Sequence, residues 1–308
     1  MKHLLTVIIL LLACTQTSHG QKKFFFYAIG DMPYHNPGDI EKFKRLTSVI
    51  NAGKPSFTVH VGDIKNGSTE CSDEYFKMMF DLFNQFRAPL VYTPGDNEWT
   101  DCGRPAAGGY DPQERLTALR KLYFQNNQSL GQKPLRFSSQ GQRPGYEEFA
   151  ENVLWRSKGI TFATLHVVGS NNNFKDLPEM NEEFLRRDKA NVAWLTEIFS
   201  TAKTHDDAAI VLIMHAAMVY KSGEANGFNS IVETLRSAVQ DFKKPVLLLY
   251  GDHHRFEINK PLRDVEDNLI TNFTALMVFG DADMHAVKIH VNPKTKEVFS
   301  FSELVMEY

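Results

Sequence analysis

The chain has 308 residues and a formal net charge of −3 spread along its length. That is enough for one large α/β domain or two small ones, and no basic stretch offers a nucleic-acid footprint. The hydrophobic fraction of 43% fits an ordinary globular core.

Lys2 and His3 precede an apolar run from Leu4 to Ala13 that is too short to span a bilayer. Ser18-His19-Gly20 places small residues for cleavage before Gln21, so residues 1–20 read as a signal peptide and 21–308 as the folded domain. Leu11-Leu12-Ala13-Cys14 offers a second option, similar to a bacterial lipobox, with Cys14 lipidated. Either way the protein is expected to be exported, as a secreted or periplasmic protein or a lipid-anchored one. Membrane contact is expected only if Cys14 is lipidated.

Phe24 to Ile29, a run of aromatic and branched residues, predicts the first strand. Asp39 to Ala52 carries Ile40, Phe43, Leu46, Val49 and Ile50 at helical spacing, and Gly53 and Pro55 stop it. Phe57 to Val61 predicts the second strand. Ser72 is a good N-cap for a helix through Phe86, with Tyr75, Phe76, Met79, Phe80 and Phe83 on its apolar face. Leu90 to Thr93 predicts the third strand. Gly103 to Asp111 is a Gly/Pro loop, and Asp111-Pro112 starts another helix with the proline in its first turn. Residues 125–147 are polar, so a loop or cap insertion is expected around 103–147. Alternation then resumes with a strand Ile160 to Val168, a helix Glu182 to Ala202, a strand Ala209 to Met214, a helix Ile231 to Phe242 and a strand Val246 to Tyr250. The tail reads as hairpins over Phe273 to Phe279, Val287 to Val291 and Val298 to Leu304.

Three acidic loops follow the first three strands: Gly30-Asp31 in IGDMPYH, Gly62-Asp63 in VGDIKNG and Gly95-Asp96 in PGDNEW. Their aspartates are about thirty residues apart, the length of one strand–helix crossover. Each strand would deliver a carboxylate to the same edge of a parallel sheet, where open α/β sheets place their sites. Carboxylates gathered so closely repel one another, and a cation is expected among them. Two later strand ends add His215 in IVLIMH and Asp252-His253-His254 in LLLYGDHH, which suggests a two-metal hydrolytic centre. Cys71 and Cys102 each lie a few residues past an acidic loop. In an exported protein they are expected to form a disulfide; two free thiols are the alternative, and no CxxC spacing supports a cysteine metal site.

In this order the motifs resemble the calcineurin-like metallophosphoesterase family, which includes the purple acid phosphatases and reads D-x-H, G-D, G-N-H-[D/E], H and G-H-x-H. The resemblance covers most of residues 24–291, and the helix VAWLTEIF before the IVLIMH strand is also similar. It implies an α/β fold, a four-layer αββα sandwich of two mixed β-sheets flanked by helices. It implies a phosphohydrolase that attacks small-molecule phosphoesters with a metal-bridging hydroxide. Carried over, Asp31 and His254 bind the first metal, Asp63 bridges both, and Asp96 and His215 bind the second.

Several positions depart from the family pattern. Its asparagine ligand is Asp96 here, its first-loop histidine is Pro33, its first histidine in the last motif is Asp252, and its leaving-group acid histidine is Asn97. The implied ligand set is richer in carboxylate, so two divalent or trivalent ions, Mn, Fe or Mg, are favoured over Zn. Tyr34 or His35 is a candidate for the missing ligand. Tyr34 stands three residues past its aspartate, the offset at which purple acid phosphatases place a tyrosinate, though theirs is on the second loop. Asn66, Asn97, Arg104 and His253 are candidates to hold phosphate oxygens, Arg104 through its planar fork, and His253 to restore part of the missing acid function. Glu98 orients Asn97 or caps a turn, and Asn171 to Asn173 are candidates for the same edge. His60 and His166 read as packed side chains; His285 and His290 carry no signal. A non-catalytic metal- or phosphate-binding protein on the same scaffold is the alternative function.

Overall fold

Side-chain alternation along the strands sorts the interior into three apolar layers in the computed structural model, which describes residues 22–34, 36–220 and 226–308. Along Phe24–Ile29, Phe24, Phe26 and Ala28 face one layer while Tyr27 and Ile29 face another. A strand buried on both faces must lie inside a sandwich. The first sheet runs in the order Phe299–Leu304, Ala286–Val291, Phe24–Ile29, Thr58–His60, Leu90–Tyr92. The second runs Ser138–Ser139, Val153–Ser157, Ile160–Thr164, Ala209–Ile213, Val246–Tyr250, Phe273–Met277, Glu257–Asn259. Both mix parallel and antiparallel pairs.

The inner layer, with Phe26, Val59 and Val91 from one sheet and Phe162, Val211 and Leu247 from the other, joins the sheets. Helices Asp39–Gly53, Asp73–Phe83 and Pro112–Tyr123 cover the first sheet through Phe43, Phe76 and Leu116. Helices Glu182–Thr204 and Asn229–Phe242 cover the second through Trp194, Ile198 and Leu235. The result is the expected four-layer αββα sandwich. Capping follows the sequence: Ser72 Oγ accepts from Tyr75 N at 3.2 Å, and Asp111 Oδ1 accepts from Glu114 N at 2.9 Å. The leader expected over residues 1–20, Cys14 included, lies outside the described residues. Among the described residues no helix is long and apolar enough to cross a membrane.

Three expectations need correction. Val49 is exposed, because the helical stripe centred on Phe43, Leu46 and Ile50 leaves it at the margin. Phe273–Met277 is no tail hairpin; it lies parallel to Val246–Tyr250. Its residues are apolar on both faces, with Phe273, Ala275 and Met277 in the outer layer and Leu276 in the inner, which places it inside a sheet. The tail hairpin is Ala286–Val291 with Phe299–Leu304. Val153–Ser157 forms an unforeseen hairpin with Ile160–Thr164. Its signal was Lys158-Gly159, both at positive φ, as a two-residue hairpin turn requires.

Cys71 and Cys102 form a buried disulfide with their Cα atoms 5.8 Å apart. It ties the second acidic loop to the third, and both sulfurs lie 3.8 Å from Asn97 O. Replacing both cysteines by alanine is expected to lower stability by about 3–4 kcal/mol through the reopened loop. Urea denaturation measures this, and an unchanged midpoint would refute it.

Candidate metal centre

The parallel register sets where the loops emerge. Ile29, His60 and Tyr92 are paired across the first sheet, as are Ile213 and Leu249 across the second. Two to four residues beyond these ends stand Asp31, Asp63, Asp96, His215 and Asp252. The chain turns sharply there: Asp31, Asp63, Asp252 and His254 all have φ between 52° and 78°. Aspartate enters this left-handed region more readily than most residues. The preceding glycines permit the crowding. A Cβ on Gly95 would lie 2.1 Å from Asp63 Oδ1, and one on Gly251 would lie 2.2 Å from Asp31 Oδ2.

Two trios of ligand atoms result, each within 4.8 Å: Asp31, Asp63 and His254, and Asp63, Asp96 and His215. Asp63 belongs to both. His215 Nε2 lies 3.0 Å from Asp96 Oδ1 and 3.4 Å from Asp63 Oδ1, while its Nδ1 faces Val61 O at 3.0 Å. That backbone contact suits a proton on Nδ1 and a lone pair on Nε2. His254 Nδ1 lies 3.0 Å from Asp281 Oδ1 and its Nε2 3.6 Å from Asp31 Oδ1. A carboxylate behind a histidine ring is the usual outer support of a metal ligand. Asp252 accepts from Ala217 N through Oδ2 at 3.0 Å. A Cβ on Gly169 would lie 2.7 Å from both Asp252 Oδ1 and Asp96 Oδ1.

The electrostatics call for cations. Burial, with Asp252 and Asp96 nearby, pushes Asp31 up to about 7 against the pull of His215. Burial also raises Asp63, with Asp96, Glu98 and Asp31 adding to it. Burial works against a charge on His215, but Asp63, Asp96 and Asp31 hold its value well above the ordinary one. Asp31 Oδ2 is buried without a hydrogen-bond partner. An orphaned buried acceptor beside several carboxylates fits a hard cation.

The other candidates divide by what they touch. The Tyr34 hydroxyl sits between Asp63 Oδ2, 3.1 Å away, and His254 Nε2, 2.8 Å away. His35 lies outside the described residues. Asn97 donates through Nδ2 to Asp63 Oδ2 at 2.6 Å and to Lys65 O at 3.0 Å, and through its backbone N to Asp63 Oδ1. Asn66 donates to Tyr34 O and accepts from Ser68 N, Ser68 Oγ and Thr69 N. Arg104 pairs with Asp101 at 2.6 Å on the half-exposed rim. His253 is exposed. Asn171 accepts from Gly227 N, Asn172 Oδ1 accepts from Val168 N and from Arg187, and Asn173 donates to Glu183. Glu98 Oε1 accepts from Asp63 N, Gly95 N and the Tyr92 hydroxyl, stitching the second loop to the third. His60 and His166 are buried against Met32 O and Glu151 respectively. His285 and His290 meet Met306 N and Ser302 Oγ in the tail.

Sequence reasoning missed Lys65, fully buried, whose Nζ donates to Asn66 O at 2.9 Å and Asn97 O at 2.7 Å. Burial lowers its value. It also missed Asp281 and Ser170, whose partners lie on distant loops.

The profile of the calcineurin-like phosphoesterase family matches residues 24–256. No curated protein matches the sequence. By structure the chain is similar to GAP50, the anchor in the inner membrane complex of Plasmodium, at 16% identity and a TM-score of 0.50, covering 93% of this chain and 90% of that one. It is similar to a dimetal phosphatase of Danio rerio at 10% identity and a TM-score of 0.55, covering 92% and 98%. A purple acid phosphatase from yellow lupin seeds aligns at 12% identity and a TM-score of 0.48, over 93% of this chain and 54% of that one.

Proposed function

The chain belongs to the calcineurin-like phosphoesterase family, and we propose that it is an exported metal-dependent phosphohydrolase acting on small-molecule phosphoesters. The observation that carries this reading is Asp63, one carboxylate shared by two ligand trios. The oxygen-rich set suits two ions of Mn, Fe or Mg ahead of Zn. Bound there, such ions acidify a water and neutralise charge on phosphoryl oxygens. Asp31, His254 and the Tyr34 hydroxyl would hold one ion, and Asp96, His215 and Asp252 the other. Asn97 fixes both oxygens of Asp63 and so sets the spacing. Arg104, on the rim beside Asp101, would grip phosphate oxygens. The disulfide supports export, since such bonds persist in oxidising compartments.

Asn97 cannot donate a proton to a leaving group at neutral pH, and its amide is engaged with Asp63 and Lys65 O. An absent general acid costs about 10²- to 10⁴-fold, mostly for poor leaving groups. Aryl phosphates are therefore expected to be cleaved on the order of 10²-fold faster than alkyl phosphates beyond their difference in water. Initial rates on the two classes with Mn²⁺ supplied measure this, and matched enhancements would refute it. The engaged amide of Asn97 also favours a second reading, a metal- or phosphate-binding protein without turnover. Metal-loaded wild type that hydrolyses no aryl phosphate with Mn²⁺, Fe or Zn²⁺ would establish that reading instead.

A further inference from the structure

Between the strand Ile160–Thr164 and the helix Glu182–Thr204 the backbone does something costly. Ser170, Asn171, Asn172 and Asn173 lie consecutively in the left-handed region, with φ of 50°, 55°, 54° and 59°. Single residues visit this region; runs of L-residues there are strained, and such strain gathers where surroundings enforce it for use. The surroundings here are specific. Arg187, buried in the helix, donates to Asn172 O at 2.9 Å and to Asn172 Oδ1, and is itself held by Glu183 at 2.6 Å. Asn172 Nδ2 donates to Gly227 O at 2.8 Å, and Asn171 Oδ1 accepts from Gly227 N at 2.9 Å.

The pinned turn presents one side chain to the metal centre. Ser170 Oγ donates to Asp96 Oδ2 at 2.6 Å. The other oxygen, Asp96 Oδ1, is the one beside His215 Nε2. We infer that Ser170 is a positioning residue: it occupies Oδ2 of Asp96 and so leaves Oδ1 alone to serve the metal position shared with Asp63 and His215. A carboxylate without this hydrogen bond is free to rotate or to chelate through both oxygens. With it, Asp96 is restricted to the one-oxygen geometry of a carboxamide ligand while keeping its charge. Arg187 and Asn172 act at one remove, by holding the turn.

This inference rests on the metal-centre reading, and the experiment separates the two. Ser170→Gly deletes the hydroxyl and also relieves the positive φ, so local structure gains while the ligand loses its support. Titration of the metal-free full chain with Mn²⁺ by calorimetry, alongside thermal melts in chelator, reads both effects. In the wild type two ions bind. In Ser170→Gly one of the two affinities falls by about 10- to 100-fold, the range for removal of an outer partner, while the chelated melting temperature holds or rises. Ser170→Ala reproduces the loss of affinity. Two unchanged Mn²⁺ affinities in Ser170→Gly overturn the role of Ser170 and leave the metal centre standing. A matched fall of both affinities together with a lower chelated melting temperature overturns it too, by making the residue merely structural. Wild type that takes up no Mn²⁺ overturns the metal centre and this role with it.

Discussion

Asp31→Asn is expected to move two observables in opposite directions. Turnover of an aryl phosphate should fall by about 10²- to 10³-fold, the usual cost of one preorganised electrostatic group. The melting temperature of the metal-free protein at pH 8 should rise. Asp31 is buried, its Oδ1 accepts from Asp252 N at 3.0 Å, and its Oδ2 has no partner. An asparagine keeps the acceptor and places a donor among carboxylates, and it tolerates the φ of 52°. The folded value of about 7 stands above the ordinary 3.8. The stability tied to this group is therefore fully present below about pH 4 and is lost as pH rises through about 7. The advantage of the variant should be largest at pH 8 and vanish toward pH 4. Saturating Mn²⁺ should reverse the order, because wild type then gains about 2.7 kcal/mol at a hundred times its Kd. Scanning calorimetry at both pH values, with chelator and with Mn²⁺, checks all of this. A lower chelated melting temperature for the variant at pH 8 would show that the carboxylate cluster is not under electrostatic stress.

The opposition of signs separates a site built for ions from a core that merely contains acids. Structural carboxylates here behave in the other way. Asp207 is paired with Arg156 at 2.6 Å, and Arg143 reaches Glu197, so each charge has its counter-charge within the chain. Asp31, Asp63 and Asp96 lie close to His215, with Asp252 beside Asp31, and among the described residues no lysine or arginine side chain bonds any of the four. Lys65 comes near, but its Nζ is spent on backbone carbonyls. Four negative groups against two rings, His215 and His254, leave a deficit of positive charge that external cations would fill.

How much of this could be read in the chain depends on the range over which each signal acts. The strand ends were legible because each of Asp31, Asp63, Asp96, His215 and Asp252 directly follows an apolar run that only a buried strand satisfies. Alternation of such runs with helical spacing made an α/β domain legible; the sandwich itself was implied only by the resemblance of the motifs to the phosphoesterase family. Side-chain commitments were not legible. Asn66 and Asn97 look alike in sequence as polar loop residues, yet one closes its own turn and Tyr34 O while the other grips Asp63, and tertiary approach alone decides this. Ser170 and Asp96 are brought together across 74 positions of chain. The run Asn171-Asn172-Asn173 did carry a usable signal, since asparagine is the non-glycine residue best suited to positive φ; its meaning as a left-handed turn went unread.

Glu151→Gln should cost about 3–5 kcal/mol of stability, the range for breaking a buried ion pair from one side. Glu151 is fully buried. Its carboxylate accepts from Arg120 Nε at 3.0 Å and Nη2 at 2.6 Å, and meets His166 Nδ1 at 2.8 Å. His166 in turn packs its ring against Trp99, two residues beyond Asn97, at 5.4 Å between centroids. Glutamine offers one acceptor where three contacts require an anion, and turns an amide N–H₂ toward a guanidinium. Burial alone would raise the Glu151 value, but Arg120 and His166 hold it well below the ordinary 4.5. The sign is therefore opposite to that of Asp31: this contribution is present above about pH 4.5 and is lost as pH falls through the depressed folded value. Urea melts at pH 7 should show the full penalty, and melts at progressively lower pH a shrinking one. Arg120→Met combined with Glu151→Leu should recover part of the loss, because removing both charges leaves neither stranded. A single variant as stable as wild type at pH 7, or a penalty that grows toward acid, would show that this network does not support the loop that carries Asp96.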